Sequence, residues 1–140
     1  MKKGFVKSYD GTKIYYEVMG KGLPLIFCYG IVCSSEQWKF QTKYFRKKYK
    51  IIHFDYRGHN QSESPGNPEQ LTIEGCARDL NAVMNKLNIK KAILIGHSMG
   101  VNVIFQFAAL YPKKVSGLVA ICGTVSNPLK TMFNSDIAIA

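Results

Sequence analysis

The chain has 140 residues, 46% of them apolar, and carries 19 Lys and Arg against 9 Asp and Glu, a formal net charge of +10. That size and apolar content suit one globular domain with a real core, and exclude a low-complexity or repeat protein. The longest apolar stretch, residues 23–33, is interrupted by Pro24 and Gly30 and is too short to cross a bilayer, and Met1-Lys2-Lys3 leads into no signal-like apolar run. A soluble cytoplasmic protein without membrane contact is the expectation.

Phe5 to Tyr9 and Lys13 to Met19 read as two strands joined across Asp10-Gly11, a strong hairpin signal. Gly20-Lys21-Gly22 turns into Leu25-Ile26-Phe27-Cys28, a run apolar on both faces and so a central strand. A basic helix follows, in which Trp38, Phe45 and Tyr49 recur at helical spacing. Its rings are expected to face a sheet while Lys39, Lys43, Arg46, Lys47, Lys48 and Lys50 reach water. The same segment can be read as a basic and aromatic nucleic-acid strip, but the helical spacing favours the packed reading.

Tyr49 to Phe54 is the next strand. Ile73, Cys76, Ala77, Leu80, Val83, Met84 and Leu87 keep the three-and-four spacing of an amphipathic helix, with Thr72 as N-cap. Ala92 to Ile95 is a short buried strand, residues 101–110 an apolar helix halted by Pro112, and Val115 to Ile121 a last strand. After the opening hairpin, strands alternate with helices. The pattern predicts an α/β fold with a mostly parallel sheet, an antiparallel N-terminal hairpin and helices on both faces.

Cys28, Cys33, Cys76 and Cys122 form no Cys-x-x-Cys pair and are expected to be buried thiols. His53, His59 and His97 are not spaced with them as zinc ligands, so neither a metal nor a cofactor is expected.

The chemistry concentrates in Gly96-His97-Ser98-Met99-Gly100, where a strand turns directly into a helix. Three fixed positions of this kind arise by accident in about one chain in twenty of this length, so context has to decide. A serine in a strained strand-to-helix turn is lifted clear of the sheet, and the helix start favours the negative charge of an acyl-transfer intermediate. The plainer alternative is a Gly-rich turn whose serine caps the helix.

Residues 5–124 resemble the N-terminal half of an α/β-hydrolase fold protein. Cys28-Tyr29-Gly30-Ile31, followed by Ser34, Ser35 and Trp38, is similar to the family's His-Gly oxyanion loop, with Tyr29 where the family has histidine. Asp55-Tyr56-Arg57-Gly58-His59-Asn60-Gln61-Ser62 resembles the family's Asp-x-Arg-Gly-x-Gly-x-Ser loop, with Asn60 in place of glycine. The third motif is the elbow itself.

The resemblance implies that Ser98 is the nucleophile, framed by the elbow glycines Gly96 and Gly100, and that the backbone N–H groups of Ile31 and Met99 form the oxyanion hole. Removing one such donor from a working enzyme costs about 3 kcal/mol. Tyr29 and Trp38 read as packing residues, and Asp55 and Arg57 as groups that tie down their loop. The substrate implied is a small molecule with an acyl bond; serine in place of aspartate argues against the family's epoxide hydrolases and haloalkane dehalogenases.

In this fold the acid and the histidine follow the serine. After Ser98 the sequence holds Asp136, no Glu and no His. Residues 1–124 are therefore expected to be a partial core domain, and 125–140 the start of a lid or a truncated tail, as a premature stop or a partial gene would leave it. Without its base a catalytic serine loses about six orders of magnitude in turnover, so the chain alone should be nearly inactive. The strand at 115–121 would then offer an open edge for self-association. Two other readings compete: a ligand-binding or regulatory protein that has lost the chemistry, and an assembly subunit completed by a partner chain.

Overall fold

Gly11 takes a positive φ of 88° and the Asp10 carboxylate accepts from the Thr12 N–H at 3.1 Å, so the chain reverses where the Asp-Gly pair predicts. The computed structural model describes residues 1–124. The turn joins β1 (Lys2–Lys7) to β2 (Lys13–Met19), antiparallel with Phe5 opposite Tyr15. The first strand lies earlier than its predicted Phe5 to Tyr9 because the turn consumes Ser8 and Tyr9: the Gly11 N–H donates to the Ser8 carbonyl and the Ser8 N–H to the Thr12 carbonyl.

β3 (Pro24–Cys28), β4 (Lys50–Phe54), β5 (Ala92–His97) and β6 (Val115–Ile121) complete a six-stranded sheet in the order β1-β2-β4-β3-β5-β6. β3 pairs in parallel with β4 and β5, and β5 with β6, while β2 meets β4 antiparallel. The sheet is thus mostly parallel with an antiparallel hairpin, as predicted, and β3 lies inside it with Leu25 to Cys28 all buried. β5 continues two residues past its predicted end and delivers His97 directly to the elbow.

Successive strand residues face opposite ways, so β3 sends Phe27 to one face and Cys28 to the other. On the first face Trp38 lies over Phe27 with ring centroids 5.0 Å apart, at the end of a 3₁₀ turn (Ser35–Trp38) that leads into α1 (Lys39–Phe45). α1 stops sooner than the spacing of aromatic residues predicts. Trp38 is buried and Phe45 and Tyr49 pack on the core, but Phe40 and Tyr44 stand out in solvent beside the lysines.

α2 (Ile73–Lys86) is capped by Thr72, whose hydroxyl accepts from the Gly75 N–H at 2.9 Å, and it buries Cys76, Ala77, Leu80, Val83 and Met84. α3 (Met99–Leu110) buries Val101, Val103, Ile104 and Phe107 and ends before Pro112. The four thiols are not all buried. Cys28 and Cys76 are, and burial pushes the Cys76 thiol up to about 12, whereas Cys33 in the turn after β3 and Cys122 past the end of β6 are exposed. Among the described residues no helix is long and apolar enough to cross a membrane.

Candidate active site

Ser98 has φ 52° and ψ −119°, a conformation that costs a residue with a Cβ and is held only where its surroundings demand it. Those surroundings are the two glycines. A Cβ at Gly96 would lie 2.5 Å from the Gly100 carbonyl oxygen, and one at Gly100 would collide with the Cys28 carbonyl and lie 3.0 Å from that of Tyr29. Strand and helix can cross this closely only without side chains. The elbow is further tied to β6 by the Ser98 N–H, which donates to the Ile121 carbonyl at 3.1 Å. Although Ser98 stands at the N-cap of α3, its side chain makes no capping hydrogen bond, so the hydroxyl is not used to start the helix.

The turn after β3 lies against this serine. A Cβ on Gly30 would sit 3.4 Å from the Cβ of Ser98 and 3.3 Å from Nδ1 of His97, a close approach that places this turn directly against the elbow. Ile31 and Val32 project into solvent, Val32 with φ 58°, and the Cys33 N–H closes the turn on the Gly30 carbonyl at 3.2 Å. No bond among the described residues takes the Ile31 N–H. Met99 opens α3, where N–H groups have no carbonyl of a preceding turn to reach. Both N–H groups assigned from the sequence therefore come from segments that adjoin Ser98.

Tyr29 and Asp55 form the buried support behind this turn. The Tyr29 hydroxyl donates to Asp55 Oδ1 at 3.3 Å and accepts from the Tyr56 N–H at 3.1 Å, while the Tyr56 hydroxyl returns a bond to the Tyr29 carbonyl at 2.9 Å. Burial pushes the Tyr29 phenol up. Burial also raises Asp55, outweighing the bonds from the Gln61 N–H, Tyr29 and Asn60 that favour its charged form. Asn60, at φ 48°, takes the left-handed backbone that its position requires.

Arg57 is fully buried and ties the loop after β4 to α2 and to the hairpin. It donates to Asp79 from Nε at 2.8 Å and from Nη2 at 2.6 Å, to Asp10 from Nη1 at 2.9 Å, and to the Gln70 carbonyl at 3.1 Å. Burial alone would lower its pKa; the bonds and charge of Asp79 reverse the sign and hold it raised. The loop-holding role expected of Asp55 and Arg57 matches this geometry. Sequence reasoning passed over Asp79, although a carboxylate on the apolar stripe of α2, three residues after Cys76 and four before Val83, asks for a buried cation.

None of the three imidazoles is hydrogen-bonded to Ser98. His53 Nε2 lies 2.8 Å from the Thr42 hydroxyl, His59 Nδ1 lies 3.2 Å from the Arg57 carbonyl, and the His97 ring stands edge-on to Trp38 at 6.4 Å. Asp136 lies outside the described residues, as does the whole of 125–140. An open groove of about 610 Å³ runs between α1 and the hairpin past Lys3, Glu17, Lys43 and His53, and Ser98 is not among the residues that line it. Among the described residues no three His, Cys, Asp or Glu side chains converge as metal ligands.

Known proteins are similar to this chain in sequence and in fold. A family model described as the alpha/beta hydrolase fold matches residues 24–138. The non-heme chloroperoxidase of Streptomyces lividans is 31% identical over 137 residues, 95% of this chain and 49% of that protein. Epoxide hydrolase 1 of Caenorhabditis elegans is 34% identical over 104 residues, 74% of this chain and 25% of that one. A thermophilic esterase from Thermogutta terrifontis superposes with a TM-score of 0.83 at 28% identity, over 96% of this chain and 50% of the other. The chain spans about a fifth to a half of the length of the curated relatives it matches. The family model matches most of the chain's length, and the protein belongs to the α/β-hydrolase fold family.

Proposed function

We infer that the protein carries the nucleophile and oxyanion half of a serine hydrolase acting on esters or related acyl bonds. Ser98 would attack the carbonyl carbon, and the Ile31 and Met99 N–H groups would receive the oxyanion. The observation that carries this reading is the backbone of Ser98: a non-glycine residue at φ 52°, enforced by Gly96 and Gly100, with a hydroxyl that caps nothing. Strain of this kind in a serine is consistent with a reacting group.

The reading requires a base and an acid that the described residues do not bring to Ser98. Turnover is therefore expected to be near background for this chain, with oxyanion hole and binding supplying the residual help. Serine at this position favours acyl transfer over the epoxide opening named for several relatives. Esters, amides, lactones and carbon–carbon bonds beside a carbonyl are all open to such a serine, because the fold alone does not set the substrate.

Phenylboronic acid tests the site without needing the base. Boron accepts a bond from the serine oxygen, the hydroxyl proton leaves to solvent, and the tetrahedral product presents an oxygen to the oxyanion donors, as a transition-state analogue does. Boron-11 NMR of the chain with this compound should show a tetrahedral adduct that Ser98→Ala abolishes. An adduct of equal size in the variant would refute Ser98 as nucleophile.

A further inference from the structure

The Asn60 carboxamide makes bonds that its own loop does not need. Its Nδ2 reaches the Cys33 carbonyl at 3.1 Å, the Tyr29 hydroxyl at 3.3 Å and Asp55 Oδ1 at 3.4 Å, two hydrogens divided among three acceptors. Its backbone has φ 48°, which glycine would hold at no steric cost. The turn after β4 therefore does not require the side chain. What the side chain adds is a bond to a carbonyl 27 residues away, on the turn that faces Ser98.

That turn has few other restraints. Ile31 is 54% and Val32 87% exposed, so packing does little to fix residues 31–33. The entry is held by the Tyr56 hydroxyl on the Tyr29 carbonyl and by the Gly30 N–H on Gln37 Oε1 at 3.2 Å, and the middle by the Cys33 N–H on the Gly30 carbonyl. At the exit the Cys33 carbonyl is tied by Asn60. The far end of that tie is rigid, because Tyr29 and Asp55 are buried and bonded to each other and to the Tyr56 and Gln61 N–H groups.

We propose that Asn60 is a positioning residue for the oxyanion hole: it locks the Cys33 carbonyl to the Tyr29 and Asp55 cluster and so fixes the direction of the Ile31 N–H. The role of that N–H rests on the reading under Proposed function; the tie itself does not. Asn60 touches neither substrate nor Ser98, and it acts through the turn.

Asn60→Gly and Asn60→Asp separate the tie from the backbone. Both accept a positive φ, and neither can donate from residue 60 to the Cys33 carbonyl. The first readout is hydrogen exchange of the Cys33 amide, the bond that closes the turn, measured by NMR on the 140-residue chain. Loss of one such restraint should speed it about tenfold in both variants, while the amides of α2 and β5 keep their protection. The second is phenylboronate affinity, which should weaken about tenfold with the thermal midpoint little changed.

Unchanged Cys33 exchange would overturn the proposal, and so would faster exchange with unaltered boronate affinity, since the turn would then be tied without aiming a donor. If either variant loses cooperative unfolding, the other decides. A boronate adduct that survives Ser98→Ala defeats the reading of the site and with it the positioning role, while the exchange rate still reports on the tie.

Discussion

Arg57 and Asp79 meet through two parallel bonds, Nε to Oδ2 at 2.8 Å and Nη2 to Oδ1 at 2.6 Å, with both side chains fully excluded from water. This fork joins the loop after β4 to α2, and through Asp10 it reaches the hairpin as well. A fork of this geometry suits a planar guanidinium and a carboxylate and no softer pair. Asp79→Ala takes the two-bonded partner from a buried cation and leaves it Asp10 and the Gln70 carbonyl, and removal of one member of a buried pair costs about 3–5 kcal/mol. Urea denaturation of the variant should show that loss; a change below about 1 kcal/mol would mean that Asp10 and the Gln70 carbonyl suffice for Arg57.

Gly100 is expected to tolerate no side chain. The atoms a methyl group would meet are the carbonyls of Cys28 and Tyr29, backbone groups at and just past the end of β3 that cannot swing aside as a side chain would. Overpacking costs typically 1–3 kcal/mol where side chains can give way, and here they are not the obstacle. Gly100→Ala should lower stability by more than about 3 kcal/mol or leave the chain unfolded, read by circular dichroism and a urea titration. A variant that folds with wild-type stability would show that α3 can slide away from β3.

His53 gives the protein an acid-sensitive core. Its ring is buried between Phe27 and Thr42, and burial lowers its pKa from 6.5 to about 4, only partly opposed by the charge of Glu17 on β2. The unfolded chain binds this proton below pH 6.5, while the folded one does so only near pH 4. Stability is thus fully present above pH 6.5 and falls as pH drops toward 4, by about 3 kcal/mol at 1.36 kcal/mol per unit. Urea midpoints between pH 7 and pH 4 should decline with this slope and flatten in His53→Gln, which can still pair with Thr42. An equal decline in the variant would assign the acid sensitivity elsewhere.

Among the described residues β6 pairs only with β5, and it leaves Val119 and Ile121 about two-fifths exposed. An apolar strand with a free row of N–H and C=O groups is a template for a second strand. Sedimentation of the 140-residue chain is expected to show association that grows with concentration and that Val119→Lys suppresses. A monomer at all concentrations would show that this edge is covered.

The sequence made most of the framework legible because the framework is written in short-range patterns. Period-two and fully apolar runs locate the strands, Thr72 marks its helix start, and the elbow announces itself through two glycines whose neighbours leave no room for a Cβ. The residues it hid are those whose partners are distant. Nothing near Asp79 in sequence points to Arg57, and nothing near Asn60 points to the Cys33 carbonyl. Cys33 and Cys122 sit beside apolar runs and read as buried, but one lies in a turn and the other just past a strand end, where local composition does not determine exposure. The basic segment after Trp38 shows the same limit: its aromatic spacing continues beyond Phe45, where the helix stops.

Ser98 is proposed as the nucleophile, and the described residues bring no base to it. Incubating the chain with p-nitrophenyl acetate and added imidazole supplies one, and peptide mass spectrometry then reads where the acetyl group has gone. The account predicts an acetyl group on Ser98 that depends on imidazole and builds up toward one per chain, with no such peptide from Ser98→Ala. Acetylation confined to lysines, and equal in both proteins, would contradict it.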